Sequence, residues 1–288
     1  MTDLCQGPDP HPRKPRFAVP AGAIDSHFHL FGPLSRYAMV DDREYTPPPA
    51  TPEQARHLFD TLGITRAVVI QPSIYGEDNR AQLEGAAELG IPFRAVVVAP
   101  HATPDREMAD LHEQGARALR FILAHPGGLP VSDLERAAAR MKEMGWHIQL
   151  LAKGPQLVEL EPRIARLACP AVIDHIGMIR PDEGVQQGAF QAVLRLLRAG
   201  HWVKLSGGYR LSAEPPPYRD LAPYVRELVA AGPDRIVWAS DWPHVFIKGQ
   251  MPNTTDLLDL LVEWVPDETV RRRILVDNPA RLYGFADA

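Results

Sequence analysis

Two histidines separated by one residue, His27 and His29, stand in the run Ala23-Ile24-Asp25-Ser26-His27-Phe28-His29-Leu30-Phe31. In an extended chain the side chains alternate with period two, so both imidazoles face one side and can converge on one reacting group or one metal ion. Two further apolar runs end in ionisable groups: Val172-Ile173-Asp174-His175, and Ile236-Val237-Trp238-Ala239-Ser240-Asp241-Trp242-Pro243-His244. Strand ends of this kind, drawn from distant parts of the chain, point to an active site.

The elements that must position these groups are legible as alternation. Apolar strand-like runs occupy 23–30, 66–71, 93–99, 116–122, 146–152, 171–176, 201–206 and 235–241. Between them lie helix-like stretches such as 52–62, 104–114, 131–144, 188–199 and 218–230, often closed by Gly63, Gly90, Gly115, Gly145, Gly200 or Gly232. Alternating strand and helix predicts a parallel α/β sheet. Eight such units in 288 residues predict closure into a single-domain (β/α)8 TIM barrel rather than an open doubly wound sheet. Catalytic groups of such barrels sit at the carboxyl ends of the strands, where His27, His29, His175 and Asp241 all fall. Residues 1–20, rich in Pro and polar side chains, are expected as a flexible N-terminal arm ahead of a catalytic domain at 21–288.

Composition excludes several partners. The formal charge is −5, and the longest basic cluster is Arg271-Arg272-Arg273, expected as a solvated helix face. There is no electrostatic case for nucleic acid or an anionic membrane. Cys5 lies in a polar segment and Cys169 beside an apolar one, which argues against a disulfide framework or a cysteine-based zinc site. No segment has a signal-peptide core or the ~20 apolar residues of a membrane span, so a cytoplasmic protein is expected. Homo-oligomerisation through the outer helices stays open, since no heptad pattern specifies it.

Two long connections belong at the barrel mouth. Residues 31–50, with Arg36, Arg43, Tyr45 and Pro47-Pro48-Pro49, follow the first strand, and 244–253 follow the last. Long aperiodic loops are commonly lids or binding walls, the alternative being that the Pro-rich stretch packs beneath the first helix.

Four motifs in order carry a family resemblance: Ile24-Asp25-Ser26-His27-Phe28-His29, Asp174-His175-Ile176-Gly177, Trp202-Val203-Lys204-Leu205-Ser206 and Ser240-Asp241-Trp242-Pro243-His244. Together they resemble the amidohydrolase superfamily (amidohydrolase-related family 2), in the branch that contains 2-pyrone-4,6-dicarboxylate lactonase and sugar-lactone hydrolases. The resemblance runs from about Ala23 to Phe285 and includes Asn278-Pro279-Ala280-Arg281-Leu282-Tyr283-Gly284-Phe285. It implies a hydrolase that opens a lactone of a small organic acid. Asp241 matches the general base that takes a proton from water, while His27, His29 and His175 would stabilise the developing oxyanion.

Burial at a crowded mouth is expected to raise the Asp241 carboxyl toward a useful base, and nearby imidazolium to lower it again. Taken singly, Asp241 also reads as a turn cap before Trp242-Pro243, and His175 as a core histidine.

Metal-dependent members of the superfamily generally add a ligand at the end of the fifth strand, which here reads Trp146-His147-Ile148-Gln149-Leu150-Leu151-Ala152-Lys153. Leu150 and Leu151 occupy the ligand region, and His147 lies too near the strand start. The expectation is no metal cofactor; the alternative is one divalent ion, zinc above all, on His27, His29 and Asp241.

A small-molecule substrate, a lactone or carboxylic acid, would be held by groups on other strand ends. Arg120 and Arg210 are candidates for bidentate carboxylate binding, or alternatively for structural ion pairs. Ser73 and Tyr75 follow the second strand as hydrogen-bond donors, with Asn79 a substrate contact or the start of the next helix. Tyr45 matches the family's lid. The departures are that Met178 follows Gly177 with the next arginine at Arg180, that Ala124-His125-Pro126-Gly127-Gly128 replaces a second basic anchor, and that Val245-Phe246-Ile247-Lys248 is apolar but for Lys248. They suggest a ligand with one carboxylate or none and a larger hydrocarbon portion.

Three other classes stay open. A metal-dependent decarboxylase or lyase of the superfamily would reveal itself by bound zinc and loss of carbon dioxide. A lactone isomerase would use Asp241 and a histidine without adding water. A noncatalytic binding protein would bind without turnover, although a receptor has no need to gather His27, His29, His175 and Asp241.

Overall fold

The computed structural model describes residues 4–125, 128–247 and 249–286. Eight parallel strands follow in sequence order: β1 Ile24–Phe28, β2 Arg66–Ile70, β3 Phe93–Val97, β4 Ala116–Ile122, β5 His147–Leu151, β6 Ala171–Ile173, β7 Trp202–Leu205 and β8 Ile236–Trp238. Each lies within the apolar run expected for it. Helices α1 Pro52–Leu62, α2 Arg80–Glu88, α3 Asp105–Glu113, α4 Leu134–Glu143, α5 Gly154–Ile164 and α6 Gly188–Arg198 fill the first six crossovers. The short α7 Gly208–Leu211 and then α8 Ala222–Ala231 follow β7, and α9 Thr254–Trp264, α10 Glu268–Arg272 and α11 Asn278–Tyr283 follow β8. The fold is the expected single-domain TIM barrel, and no described helix is long and apolar enough to cross a membrane.

Local chemistry sets the element ends. At α1 the Thr51 side chain accepts from Gln54 N and the Gln54 side chain from Thr51 N, and Gly63 closes the helix at φ +78. Strands covered on both faces read as continuous apolar runs, and six of the eight are buried at every residue. The expected helices 131–144 and 218–230 each begin instead with a 3-10 turn, Val131–Asp133 and Arg219–Leu221.

The ring closes between β8 and β1 in an unusual way. Past the end of β8, Asp241 N donates to His27 O and His29 N to Trp242 O, both at 2.9 Å. Lower down, the buried Asp25 carboxylate accepts from His27 N and Ser240 N at 3.0 Å each and so ties the end of β8 to β1. At the other end α11 brings Tyr283 and Phe285 against Ile24, Val68 and Val96, and Arg66 and Arg94 lie over the Phe285 ring.

The segment ahead of β1 runs along α9. Arg13 N donates to Thr255 Oγ1 at 2.9 Å, Arg16 N to Asp259 Oδ1 at 2.8 Å, and Asn253 Nδ2 to Asp9 Oδ2 at 2.8 Å.

Candidate active site

At the carboxyl ends of β1, β6 and β8 the structure brings His27, His29, His175 and Asp241 together. His27 Nε2 and His29 Nε2 are 3.2 Å apart, and Asp241 Oδ1 lies 3.5 Å from the first and 3.8 Å from the second. His175 Nε2 faces the other carboxylate oxygen, Oδ2, at 3.9 Å. All four side chains are buried. His175 and Asp241 leave their strands with left-handed backbone, φ +48 and +59, which is how each side chain turns into the mouth. Gly207, at φ +69, passes so close to His175 that a Cβ there would lie 3.1 Å from the ring, so both its conformation and its bareness are required.

The two oxygens of Asp241 are in different surroundings. Oδ2 accepts from the Tyr209 hydroxyl at 2.6 Å and from Arg210 Nε at 2.9 Å. Burial works against the Asp241 charge, but the facing His175, Arg210, His27 and His29 outweigh it and hold the carboxyl well below its ordinary range. The expected rise is therefore reversed. Arg210 also donates from Nη2 to Val245 O at 2.6 Å, so much of the guanidinium expected on a substrate is engaged in holding Asp241.

Burial disfavours the charged form of all three histidines. Burial pushes His29 down to about 3, reinforced by the Arg120 charge, and lowers His27 and His175 as well. His29 Nδ1 lies 2.6 Å from the Ile70 carbonyl, which only accepts, so the proton is on Nδ1 and Nε2 presents a lone pair. His29 thus offers an acceptor rather than the oxyanion donor expected of it. His175 Nδ1 pairs with Ser206 Oγ at 2.8 Å.

Beneath these groups lies a polar layer to which the sequence reading gave no role. Lys204 on β7, Gln149 on β5 and Asp174 after β6 are fully buried, with Lys204 Nζ 2.7 Å from Gln149 Oε1 and 3.4 Å from Asp174 Oδ1. Tyr209, on α7, is another missed residue. The signal for Lys204 and Gln149 is a lone polar side chain inside an apolar strand, which must find partners in the barrel interior. Nothing comparable marks Tyr209, which acts through the loop that carries it.

Above the four groups is a cavity walled by Tyr45, Ser73, Arg120 and His125 on its polar side and by Ile122, Leu151, Met178, Val245 and Phe246 on its apolar side. Arg120 gives Nη1 to Gln71 O at 2.6 Å and approaches Asp174 Oδ2 at 3.4 Å, while its buried Nε has no hydrogen-bond partner among the described residues. His125, Tyr45 and Phe246 meet at the rim from three different loops, with the Phe246 ring 5.8 Å from Tyr45 and 6.1 Å from His125. Lys248 and the segment 126–127 lie outside the described residues.

Two expected contacts are elsewhere. Tyr75 is buried among Phe31 and Tyr37, away from the cavity wall. Asn79 precedes α2, as its alternative reading had it, but its side chain makes no cap; it pairs with Val98 N at 2.9 Å and O at 2.8 Å and so pins the end of β3. His147 packs 5.1 Å from the Tyr283 ring, remote from the mouth.

The spacing of the donor atoms matches that around a divalent ion. A tetrahedral centre with bonds of ~2.0–2.1 Å separates neighbouring ligand atoms by roughly 3.3 Å, close to the spacing of the two Nε2 atoms. His27, His29 and Asp241 supply ligand atoms all within 4.8 Å of one another. The fifth strand adds none, since Leu151 stands in the wall where a further ligand would be.

Comparison with known proteins shows the same architecture throughout. The family model described as amidohydrolase matches residues 24–285. The chain is 39% identical over 291 residues to a 4-sulfomuconolactone hydrolase of Hydrogenophaga intermedia, covering 99% of this chain and 96% of the relative. It is 36% identical to a 2-pyrone-4,6-dicarboxylate hydrolase of Comamonas testosteroni, covering 95% and 93%. A crystal structure from Acinetobacter baumannii, described as a probable 2-pyrone-4,6-dicarboxylic acid hydrolase with citric acid bound, superposes with a TM-score of 0.82 at 28% identity, over 92% of this chain and all of that one.

Proposed function

As the chain belongs to the amidohydrolase family, we propose that it hydrolyses a lactone, with Asp241 as the base that activates water. The observation that carries this reading is the inequality of the two Asp241 oxygens. Oδ2 is held by Tyr209 and Arg210, and Oδ1 is turned to His27 and His29 with no hydrogen-bond donor of that kind on it among the described residues. Two relatives that match nearly the whole chain are named as hydrolases of a lactone and of a pyrone, both cyclic esters.

In this mechanism water gives a proton to Asp241 Oδ1 and its oxygen attacks the ring carbonyl carbon. Negative charge builds on the former carbonyl oxygen, where Nε2–H of His175, which lines the cavity, can donate to it. The carbon–oxygen ring bond then breaks, and the proton held by Asp241 returns to the departing oxygen. His29, protonated on Nδ1 by its bond to Ile70 O, turns its Nε2 lone pair to His27 Nε2 at 3.2 Å. A carboxyl held below its ordinary range is a weaker base but is ionised throughout the neutral range.

His27 Nε2, His29 Nε2 and Asp241 Oδ1 would hold a divalent ion, which when bound supplies Lewis-acid polarisation and a more acidic water. The reading without an ion rests on the donors and the base that the chain itself provides.

The substrate is read as an anionic lactone with an apolar body. Arg120, with Nε free of a protein partner among the described residues, is the group for the anion, with Ser73 and Tyr45 beside it. Ile122, Leu151, Met178, Val245 and Phe246 would cover the rest. A cytoplasmic setting is part of the same proposal, supported by the two free cysteines.

The test is a panel of anionic and neutral lactones followed by proton release, on protein analysed for metal and then treated with chelator. Turnover of an anionic lactone that survives metal removal is the expected result. Turnover lost with zinc and regained with it would replace the ion-free mechanism, and no ring opening on any lactone would overturn the reading.

A further inference from the structure

The outer contacts of the two first-strand histidines differ in kind. His29 gives Nδ1–H to a backbone carbonyl at 2.6 Å, the partner that usually turns the opposite lone pair toward a metal. His27 Nδ1 faces the Lys204 ammonium at 3.2 Å, a group with three protons and no lone pair. Around Lys204 Nζ stand two hydrogen-bond acceptors, Gln149 Oε1 at 2.7 Å and His27 Nδ1 at 3.2 Å, and the carboxylate oxygen Asp174 Oδ1 as an ion-pair partner at 3.4 Å. Gln149 presents its oxygen here because its Nε2 donates to Asp174 Oδ2 at 3.0 Å. Gln149 Oε1 and His27 Nδ1 accept hydrogen bonds from the ammonium, Asp174 Oδ1 being an ion-pair neighbour, and since Nζ has only protons to give, Nδ1 must be the acceptor. The His27 proton is then on Nε2, 3.2 Å from the lone pair of His29 Nε2.

We propose that Lys204 is a positioning residue that locks His27 in the Nε2–H tautomer, closing the histidine pair into a hydrogen bond that keeps a divalent ion out of the His27, His29 and Asp241 donor set. Two effects act in the same direction. The proton occupies the lone pair an ion requires, and the ammonium behind the ring repels a cation across a dry interior. Asp174 Oδ1 lies 3.5 Å from the same Nδ1 and would accept its proton if Lys204 were absent, giving the carboxylate–histidine arrangement of a metal ligand. One side chain therefore separates this site from a metal-binding one. The inference holds whichever lactone is cleaved, and it stands if none is.

Two measurements test it. A long-range proton–nitrogen correlation spectrum of the histidine side chains at neutral pH, with His27 assigned through His27→Gln, is expected to show His27 protonated on Nε2 and bare on Nδ1. A proton on Nδ1 overturns the proposal. Zinc is then added to chelator-stripped wild type and Lys204→Met, with binding read by equilibrium dialysis and metal analysis. Lys204→Met is expected to bind zinc on the order of tenfold or more tightly, the scale on which outer partners shift metal affinity, and a further His29→Ala change is expected to abolish the gain. Equal affinity in wild type and Lys204→Met overturns it. The spectrum is taken on the native sequence, so it decides the matter even where Lys204→Met does not fold.

Discussion

Arg210 Nε lies 2.9 Å from Asp241 Oδ2, and the Tyr209 hydroxyl shares that oxygen at 2.6 Å. Two donors on one oxygen fix the plane of the carboxylate. They leave Oδ1 as the atom with basic lone pairs, facing His27 and His29.

Asp241→Asn removes the base while suiting the backbone, because Asn accepts the left-handed conformation at φ +59 as readily as Asp. Turnover is expected to fall by ~100-fold or more, the usual scale for a general base, with the circular dichroism spectrum unchanged. Steady-state kinetics of the folded variant check this; near-normal turnover would remove Asp241 from the mechanism.

Tyr209→Phe takes one donor from Oδ2 and leaves Arg210 in place. Loss of a donor to the ionised form raises the carboxyl, so the acid limb of kcat/KM is expected to move to higher pH. A shift of about one unit is the expected size, since a hydrogen bond to a charged group is worth ~1.5–3 kcal/mol. An unmoved acid limb, in a full pH–rate profile, would show that Tyr209 does not tune Asp241.

Arg120→Lys keeps the charge and loses the planar fork. If Arg120 holds the substrate anion, KM for an anionic lactone is expected to rise by about tenfold or more while kcat changes little. A fall in kcat at constant KM would place Arg120 in the chemical step instead.

Acid is expected to unfold the protein early. Burial depresses His29 and His147 to about 3 and His244 to about 4, whereas in the unfolded chain each titrates near ~6.5. Between those values the unfolded state binds protons that the folded state does not, so this stability is complete above pH ~6.5 and lost as pH falls toward the folded values. Asp25, raised by burial to about 6, works in the opposite sense between its unfolded value and 6. Three histidines against one aspartate leave a net loss, so thermal melting temperature should drop steadily from pH ~6.5 downward. A flat melting temperature across that range would contradict the burial of these rings as neutral species.

The strands were legible because a barrel strand covered on both faces is a plain apolar run, as at Arg66–Ile70 and Trp202–Leu205. The candidate site is legible where ionisable groups end such runs, and the four so marked, His27, His29, His175 and Asp241, lie together in the fold. Arg210 was harder. It stands on the short α7 after β7, and only the folded path of that turn brings its guanidinium to Asp241 rather than to open cavity. Tyr75 and Asn79 misled for a related reason: hydroxyl and amide groups after a strand can serve a substrate or the fold, and here the buried ring and the bonds to Val98 take them. Lys204 carried a readable signal, a charge inside an apolar strand, but its partner His27 is 177 residues away.

The seam between β8 and β1 has a consequence for biosynthesis. The backbone bonds that close the ring, Asp241 N to His27 O and His29 N to Trp242 O, belong to the same residues whose side chains form the candidate site. A nascent chain that has made only its early strands carries both histidines but no carboxylate to face them. The reactive centre comes into being at the moment the first and last strands meet, and a partly assembled barrel exposes no competent one. Catalytic competence and topological closure are one event, so appearance of activity during refolding should report the joining of the most distant pair of strands in the chain.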